Sequence, residues 1–438
     1  MSASNDTPNA SRRSFLQTSS AASAGALLAG FAAAPRVFAQ SEQILKIGLV
    51  GCGGRGTGAA ADALQADNYT RLVALGDVFP EQINYSLDTL KNQKEIGDRV
   101  QVEPGMKFVG LDAYQKVIEN VDVVLLASPP GFRPWHLRAA VEAGKHVFCE
   151  KPMATDGPGV RHAMESVRMS QEKNLGLVAG FCWRYEPERR ALFNQIHSGA
   201  IGDVRAIYGT YLTGPVKPMM PEDQRPAGIT DLEWMVRNWY NFTFLSGDGL
   251  VEQAVHTVDW LQWVMRDEAP VSCTAVGGRQ IPAIGGNIFD HIEVNYLWEN
   301  GIRGFLAQRQ ITGCHNENRL TVIGSKGIAE IGGRGVQVSG ETNWRYRPAA
   351  GASRKSMYQI EHDELFLSIR DGKPLNDGDR MMKSTLAGIM GRMAGYTGQE
   401  VTWDKALHSE EQLIPEITSW DTPVVVPGVA LPGTTPLL

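Results

Sequence analysis

The 438-residue sequence has few cysteines, no excess of positive charge and no long apolar run after residue 40. The five cysteines are widely spaced without a C-x-x-C pair, and the histidines and carboxylates lack ligand spacing, so neither a disulfide framework nor a metal site is indicated. A formal net charge of -6 offers no basic footprint for nucleic acid. Because a membrane-spanning helix needs about 20 apolar residues, we expect no stable membrane insertion. The class that remains is a globular protein with a small-molecule ligand.

In place of these features the chain has a short apolar run that turns into a glycine cluster, KIGLVGCGGRG at residues 46–56. A strand followed by G-x-G-x-x-G, here Gly51, Gly53 and Gly56, and then by a helix of small residues is typical of a dinucleotide-binding turn. Gly51 would allow the tight turn, Gly53 the close approach of a diphosphate, and Gly56 the packing of helix on strand. About twenty residues further on, a second apolar run ends in Asp77, where a carboxylate binds the adenosine ribose. The pattern predicts a nucleotide cofactor.

Apolar runs alternate with helical stretches from residue 44 to about residue 181, which predicts a parallel, doubly wound sheet with right-handed crossovers. In such a sheet the ligand lies beyond the carboxyl ends of the strands. The turn ASPP at 127–130 and the strand end FCEKP at 148–152 should both reach that edge. The expected cofactor contacts are Gly51, Gly53, Gly54, Arg55, Gly56, Asp77, Ser128, Pro129, Glu150 and Lys151.

Beyond residue 180 the pattern changes to hairpin-like strands with few helices, which predicts an α/β domain with an open, mostly antiparallel sheet. One face of such a sheet would carry helices and the other a partner subunit, so we expect a homo-oligomer, either a dimer or a tetramer. The predicted organisation is a Rossmann domain at 44–182, a substrate and oligomerisation domain at 183–400, and a C-terminal arm at 401–438.

The first 39 residues have the order of an export signal. They contain paired arginines in SRRSFL at 11–16, an Ala/Gly-rich apolar stretch at 21–34 and the small-residue motif VFA at 37–39. A disordered tail would not explain this order. The sequence therefore predicts a twin-arginine signal peptide at 1–39 and a periplasmic or otherwise exported protein.

A lysine and a histidine are the leading catalytic candidates. Lys151 ends a parallel strand at the cofactor edge, where it could hold a reacting oxygen. Glu252 and His256 are four residues apart in a predicted helix, with Asp259 one turn further on. A histidine there can accept the proton of a substrate hydroxyl, and a neighbouring carboxylate would orient its ring. The alternatives are a solvated lysine and a helix-face salt bridge.

Aromatic residues near these positions are candidates for a carbohydrate-binding wall. Trp183, Arg184, Trp239 and Tyr240 could stack on a sugar ring or bond to its hydroxyls, although core packing would explain them equally well. The predicted substrate contacts are Trp183, Arg184, Tyr240, His256 and Asp259.

Several segments resemble the glucose-fructose oxidoreductase/inositol dehydrogenase (Gfo/Idh/MocA) family, in family order: GLVGCGGRG, ASPP, AAVEAGKHVFCEKP, GFCWRYEP, HSGAIGDV and VEQAVHTVD. The resemblance implies a Rossmann domain followed by an α/β domain whose open sheet often forms an oligomer interface. It implies that Lys151 and His256 are catalytic, with Glu252 where many members have aspartate. Asp77 matches an acid that favours NAD over NADP, whereas Arg55 in the glycine loop leaves NADP open. The chain looks most like the exported, twin-arginine branch.

The resemblance implies an NAD(P)-dependent oxidoreductase that transfers hydride from a hydroxyl of a sugar or sugar derivative. An exported enzyme meets no nicotinamide pool, so we expect the cofactor to stay bound and to return to its starting state in each cycle. An NAD-dependent glycosidase or lyase, which oxidises a sugar ring transiently, would meet the same condition. A non-catalytic NAD-binding sensor protein is the third hypothesis.

Overall fold

Two sheets, one for each predicted half of the chain, carry the fold. The computed structural model describes residues 42–281, 285–333, 335–348, 351 and 355–438, so the predicted signal peptide at 1–39 lies outside the described residues. Within these ranges the chain forms a six-stranded sheet and a nine-stranded sheet inside one compact unit, Gln43–Leu438. The predicted fold class is confirmed, while the domain boundaries at residues 182 and 400 stay predictions.

The first sheet is entirely parallel. In the described chain its strands are β1 (Leu45–Val50), β2 (Thr70–Asp77), β3 (Lys107–Val109), β4 (Val123–Leu126), β5 (His146–Cys149) and β6 (Leu177–Ala179). They lie in the order β3-β2-β1-β4-β5-β6. Their helices are α1 (Gly54–Ala66), α2 (Pro80–Lys91), α3 (Ala113–Glu119), α4 (Arg133–Glu142) and α5 (Gly157–Glu172). The chain reverses its direction of growth between β1 and β4, and a crevice is expected beyond the carboxyl ends of these two strands.

The second sheet is mostly antiparallel, as predicted. Its strands in the described ranges are β7 (Val204–Thr213), β8 (Ser272–Gly278), β9 (His291–Leu297), β10 (Arg303–Gln310), β11 (Glu317–Gly324), β12 (Gly327–Gly332), β13 (Gly335–Gly340), β14 (Trp344–Arg345) and β15 (Val401–Thr402). Their order is β14-β13-β12-β11-β7-β10-β9-β8-β15. The exception to the antiparallel pairing is β7 with β10, which are parallel. Strands β12 to β14 were not predicted, because glycines bound the short runs of β12 and β13 and because β14 has only two residues.

Helices cover one face of the second sheet. The remaining helices of the described chain are α6 (Pro187–His197), α7 (Asp231–Arg237), α8 (Thr243–Ser246), α9 (Val255–Val264), α10 (Met357–Arg370), α11 (Gly378–Thr397) and α12 (Trp403–His408). Burial alternates along β10, whose even-numbered residues from 304 to 310 are buried. Apolar side chains remain on the other face, where Tyr208 is 44% and Val276 is 71% exposed. Such a face suits the predicted partner subunit, and the oligomeric state stays a prediction.

The predicted C-terminal arm begins as part of the second sheet. Val401, in β15, pairs with Cys273 of β8, and α12 follows directly. Residues 409–438 are all described and contain neither helix nor strand. Trp420 belongs to an apolar cluster that also contains Phe79 of the first half. No helix among the described residues is long and apolar enough to cross a bilayer.

Candidate cofactor cleft and active site

A cleft of about 450 Å³ opens beyond the carboxyl ends of β1 and β4. Ligand pockets typically have volumes of about 300–1,000 Å³. Of the predicted cofactor contacts, Gly51, Gly53, Gly54, Asp77, Ser128 and Pro129 line this cleft. Additional lining residues come from the second half of the chain, namely Lys217, Met220, Val236, Arg237 and Trp239. Trp239 therefore faces the cofactor cleft, although its sequence position suggested a sugar contact.

The glycine turn has the shape that a bound diphosphate requires. Gly51 has a φ of +91°, and an added Cβ there would lie 2.6 Å from the carbonyl carbon of Ala127. At Gly56 an added Cβ would lie 1.9 Å from the carbonyl oxygen of Gly51. At Gly53 and Gly54 it would meet no atom within 4 Å. Because α1 begins at this turn, free backbone N–H groups and the positive helix end are available to a phosphate.

Asp77 is fixed at the end of β2 by two backbone donors. Its carboxylate accepts the N–H of Cys52 at 2.6 Å and that of Phe79 at 3.0 Å. Burial raises the pKa of Asp77, and these hydrogen bonds oppose the shift. A carboxylate has about four lone-pair sites, so acceptor capacity remains for the two hydroxyls of a ribose. Both the glycine turn and Asp77 therefore fit an NAD-type cofactor.

The turn after β4 is rigidly held against the end of β5. Ser128 Oγ lies 2.9 Å from Nδ1 of His136, and both residues line the cleft. Arg133 donates to the carbonyl oxygens of Ser128 and Pro152. Burial, followed by the charge of Arg133, lowers the pKa of His136 to about 3. His136 is thus a neutral ring at the cleft wall at physiological pH.

Arg55 makes different contacts from those expected. Its guanidinium binds Glu150, and it lies 3.4 Å from Glu361 of α10 and 3.9 Å from Asp62. Its central carbon is also 4.7 Å from the ring centroid of Tyr358. Burial raises the pKa of Glu361 well above its ordinary value in spite of the nearby Arg55. Since carboxylates already occupy this guanidinium, the structure does not support a free phosphate clamp, and cofactor contacts by Arg55 and Glu150 stay predictions.

Lys151, at the end of β5, forms a buried ion pair with Glu252. Its Nζ is 2.9 Å from Oε1 of Glu252 and also donates to the backbone carbonyl of the same residue. The two residues are 8% and 7% exposed. Gln253 Nε2 donates to the other carboxylate oxygen of Glu252 at 2.7 Å. An ammonium group has three N–H donors, so one remains for a substrate oxygen.

His256 is a neutral base with a free nitrogen. It is 8% exposed and stacks on Trp183 with 4.8 Å between ring centroids. Its Nδ1 has no hydrogen-bond partner among the described residues. Burial lowers the pKa of His256 well below its ordinary value, and the charges of Lys151 and Arg189 add to this shift. The imidazole is therefore in the form that accepts a proton.

The expectation that a neighbouring carboxylate orients the ring of His256 is wrong, because Glu252 binds Lys151 and Gln253. Asp259 binds Arg184 and Ser384 instead. Residues Leu250–Ala254 form a π-helical turn, and the regular helix α9 begins only after it. This change in helical geometry accompanies the pairing of Glu252 with Lys151. The local sequence spacing did not reveal it.

Arg184 and Asp259 bind each other in the interior. Arg184 Nη2 lies 2.8 Å from Asp259 and 2.5 Å from Asp267. Ser384 also donates to Asp259, at 2.7 Å. Because Arg184 is 3% and Asp259 1% exposed, their contacts join the turn after β6 to α9 and leave little room for a substrate. Their predicted substrate roles gain no support from this geometry.

Sequence reasoning missed most of a group of neutral polar side chains on and beside the second sheet. Tyr211 Oη donates to Oε1 of Gln253 at 2.8 Å, which connects β7 to Glu252. Tyr240, a predicted substrate contact, shares a hydrogen bond of 2.7 Å with Gln310. Gln308 is opposite Tyr211, is 2% exposed, and its amide has no partner among the described residues. The signal was two glutamines at alternate positions of β10, both on the helix-covered face.

The arrangement unites a proton donor with a proton acceptor. Lys151 follows the strand that ends beside the cofactor cleft, and Glu252 fixes its ammonium group. His256 supplies a neutral acceptor close enough for the charge of Lys151 to affect its pKa. Such a pair can hold a hydroxyl oxygen and remove its proton. Among the described residues, no group of three or more side chains is arranged to hold a metal ion.

Two family models match the chain. The model described as "Oxidoreductase family, NAD-binding Rossmann fold" matches residues 45–181, and "GFO/IDH/MocA C-terminal domain" matches residues 190–330. Together they cover more than half of the sequence. The chain belongs to the GFO/IDH/MocA family of oxidoreductases, and its first sheet is an NAD-binding Rossmann fold.

Two relatives illustrate the range of activities named in similar sequences. Inositol 2-dehydrogenase of Rubrobacter xylanophilus is 26% identical over 299 residues, which cover 66% of this chain and 72% of the relative. A glycosyl hydrolase family 109 protein of Shewanella amazonensis is 28% identical over 209 residues, which cover 44% of each chain.

Two solved structures share the fold over most of the chain. Aldose-aldose oxidoreductase from Caulobacter crescentus has a TM-score of 0.64 at 20% identity, covering 82% of this chain and 100% of that structure. Levoglucosan dehydrogenase in complex with NADH and levoglucosan has a TM-score of 0.65 at 19% identity, with coverages of 82% and 99%. At 19–20% identity, these similarities show a shared fold and no more.

Proposed function

We propose that this protein oxidises a hydroxyl group of a neutral sugar or polyol, with NAD as the hydride acceptor. The main observation that supports this proposal is the buried ion pair of Lys151 and Glu252, which lies at the end of a Rossmann strand and near the neutral His256. Relatives and structural neighbours named for inositol, aldoses and levoglucosan support a carbohydrate substrate. Asp77 favours NAD over NADP, because a carboxylate bonds to a ribose hydroxyl and repels a phosphate in that position.

Lys151 and His256 have separate roles, stabilisation of negative charge and removal of a proton. When bound, the nicotinamide ring supplies the hydride acceptor. His256 takes the proton of the substrate hydroxyl on an imidazole nitrogen. Lys151 donates its remaining N–H to the same oxygen and stabilises the negative charge that develops there. Glu252 is a positioning residue, since its carboxylate fixes the direction of the lysine ammonium.

The side chains around this pair favour an uncharged substrate. Gln308, Gln310, Tyr240 and Tyr211 carry neutral donors and acceptors that suit hydroxyl groups. The charge of Lys151 is balanced by Glu252, which leaves no net positive charge in this pair for a substrate carboxylate or phosphate. We therefore expect polyols and neutral sugars to be preferred over uronic acids and sugar phosphates.

The proposal is tested by supplying myo-inositol, glucose and levoglucosan, singly and in pairs, to the purified protein with NAD, and by following both NADH absorbance and the sugar products. Lys151→Met and His256→Asn should each lower kcat by about 100-fold or more. Lys91→Met, which alters an exposed lysine of α2, is the matched control and should be silent. Full activity in both active-site variants would contradict the assignment, and a wild-type protein that binds NAD without turnover on any sugar would favour the sensor hypothesis.

We further propose that the cofactor stays bound and is recycled within the protein. Two sugars, one oxidised and one reduced, would meet this condition in a ping-pong cycle. Denaturing the purified protein and measuring the ultraviolet and mass spectrum of the released material tests it. Stoichiometric nucleotide is the expected result, and nucleotide-free protein that needs added NAD for each turnover would exclude recycling.

A second candidate function is NAD-dependent glycoside cleavage. The similarity to a glycosyl hydrolase family 109 protein supports this candidate. Transient oxidation of a ring hydroxyl would acidify the neighbouring C–H, allow the glycosidic substituent to leave and end with reduction of the ketone. Release of the aglycone from aryl glycosides without added cofactor would support this function. Product formation from pairs of free sugars, with no aglycone release, would support the first.

We also propose export by the twin-arginine route and assembly into a homo-oligomer. The supporting observations are the paired residues Arg12 and Arg13 and the apolar side chains on the open sheet face, including Tyr208 and Val276. Replacing both arginines by lysine should leave the full-length precursor in the cytoplasm. Tyr208→Arg should lower the mass in sedimentation, and an unchanged location or mass would contradict the respective proposal.

A further inference from the structure

The cofactor cleft has a second wall that the glycine motif does not predict. The first wall is the Rossmann turn with Asp77 and Phe79. Residues 217–239, which belong to the second half of the chain and precede α8, supply Lys217, Arg237 and Trp239 to the lining. This segment, here called the clasp, lines the same cleft as the glycine turn that is shaped to bind a diphosphate.

Lys217 brings a positive charge to the cleft. Its Nζ lies 5.5 Å from the ring centroid of Trp239, which also lines the cleft. Among the described residues, no carboxylate is close enough to affect the charge of Lys217. Burial lowers the pKa of this ammonium group, and no neighbouring charge contributes to the shift. A dianionic diphosphate at Gly53 and Gly54 would provide the missing counter-charge.

An ion pair connects the clasp to the Rossmann domain. Arg237 Nη1 lies 2.7 Å from Glu81 of α2, and Nη2 lies 2.8 Å from Glu233. The guanidinium carbon is 4.0 Å from the ring centroid of Phe79. Since Arg237 and Phe79 both line the cleft, these contacts join its two walls.

The C-terminal segment supports the same junction. Trp420 stacks on Phe79 with 5.9 Å between ring centroids and an angle of 17° between ring planes. Val424 and Val426 pack in the same apolar cluster as Val236 and Trp239 of the clasp. A chain segment about 365 residues after the glycine turn thus stabilises the wall of the cofactor site by burying apolar surface.

We propose that the clasp completes the dinucleotide site, with Lys217 binding the diphosphate and the contacts of Arg237, Glu81, Phe79 and Trp420 holding the two walls together. The ligand class is a nucleoside diphosphate, as found in NAD. The inference requires the NAD-binding Rossmann fold and is independent of the sugar or reaction proposed above.

The role of Lys217 is tested with Lys217→Gln and the control Lys326→Gln, which alters an exposed lysine in the turn between β11 and β12. Affinities for NADH, ADP and adenosine are measured by fluorescence and competition on nucleotide-free protein. Loss of one charge-assisted contact should raise the Kd for NADH and ADP by about tenfold and leave that for adenosine unchanged. An equal loss for adenosine, or no loss for ADP, would overturn the diphosphate contact.

The closure of the walls is tested by the NADH dissociation rate. Glu81→Gln and Trp420→Ala should each raise this rate about tenfold, because each weakens one contact between the walls without removing a cleft charge. Glu95→Gln and Trp135→Ala, at exposed positions outside the cleft lining, are matched controls. Dissociation rates equal to those of the controls would refute the clasp. A variant whose thermal midpoint falls while its dissociation rate is unchanged would refute it as well.

Discussion

Neutralising Glu252 should show how strongly Lys151, the proposed catalytic lysine, depends on its ion-pair partner. In Glu252→Gln the amide keeps the size of the side chain and can still accept the hydrogen bond from Gln253, but Lys151 loses its counter-charge. At a separation of 2.9 Å and an effective dielectric constant of about 20, the lost attraction is about 6 kcal/mol. Relief from burying a carboxylate offsets part of this loss, as does the bond from Lys151 to the backbone carbonyl. We expect a net destabilisation of about 3 kcal/mol, the lower end for a broken buried pair.

The assay is urea unfolding of nucleotide-free protein, together with kcat on the best sugar. The double variant Lys151→Met/Glu252→Gln should regain most of the lost stability, because no isolated charge remains buried. Glu142→Gln, the same chemical change in an exposed pair with Arg138, is the control and should leave the midpoint unchanged. If Glu252→Gln unfolds like this control and retains full kcat, the ion pair neither stabilises the fold nor positions the lysine.

Three further predictions concern groups whose environment the structure defines. Burial lowers the pKa of His362 from 6.5 to about 3, so below about pH 6.5 the unfolded chain binds a proton there that the folded protein does not, and stability falls. In urea unfolding, His362→Phe should remove about 2 kcal/mol of the stability lost between pH 7 and pH 5. Identical pH dependences of the variant and the wild type would contradict this. Because burial also depresses the pKa of His256, the acid limb of kcat/KM should lie below pH 6.5, and a limb above that value would refute a neutral buried base. Gln308→Leu should raise KM for neutral sugars about tenfold with little change in thermal midpoint, while an unchanged KM would assign its amide to packing.

The cofactor half of the site was largely readable from the sequence. Gly51, Gly53 and Asp77 are fixed by a strand, a turn and the end of the next strand, and all of them line the cleft. The position of Lys151 followed from its place at the end of a parallel strand. Their positions were predictable because a βα turn and the edge of a parallel sheet are defined by residues close together in the chain.

The partners of the charged side chains were not readable in this way. Arg55 stood in a phosphate-binding loop, yet its guanidinium contacts Glu361, which is 306 residues away. Arg184 and Asp259 had the residue types of a sugar site, but their ion pair joins two elements of the interior. A charged side chain takes the nearest group that offsets its loss of water, and tertiary packing decides which group that is.

The sequence by itself determined the family and the nucleotide turn, and it led to Lys151 and His256 as the proposed catalytic residues. Only the tertiary structure joined Lys151 to Glu252 across 101 residues, left the amide of Gln308 buried without a partner, and closed the cofactor cleft with residues 217–239. The physical reason is the sequence distance over which each interaction acts. Backbone conformation and strand ends depend on neighbouring residues, whereas desolvation, charge pairing and the walls of a cleft arise where distant segments pack together.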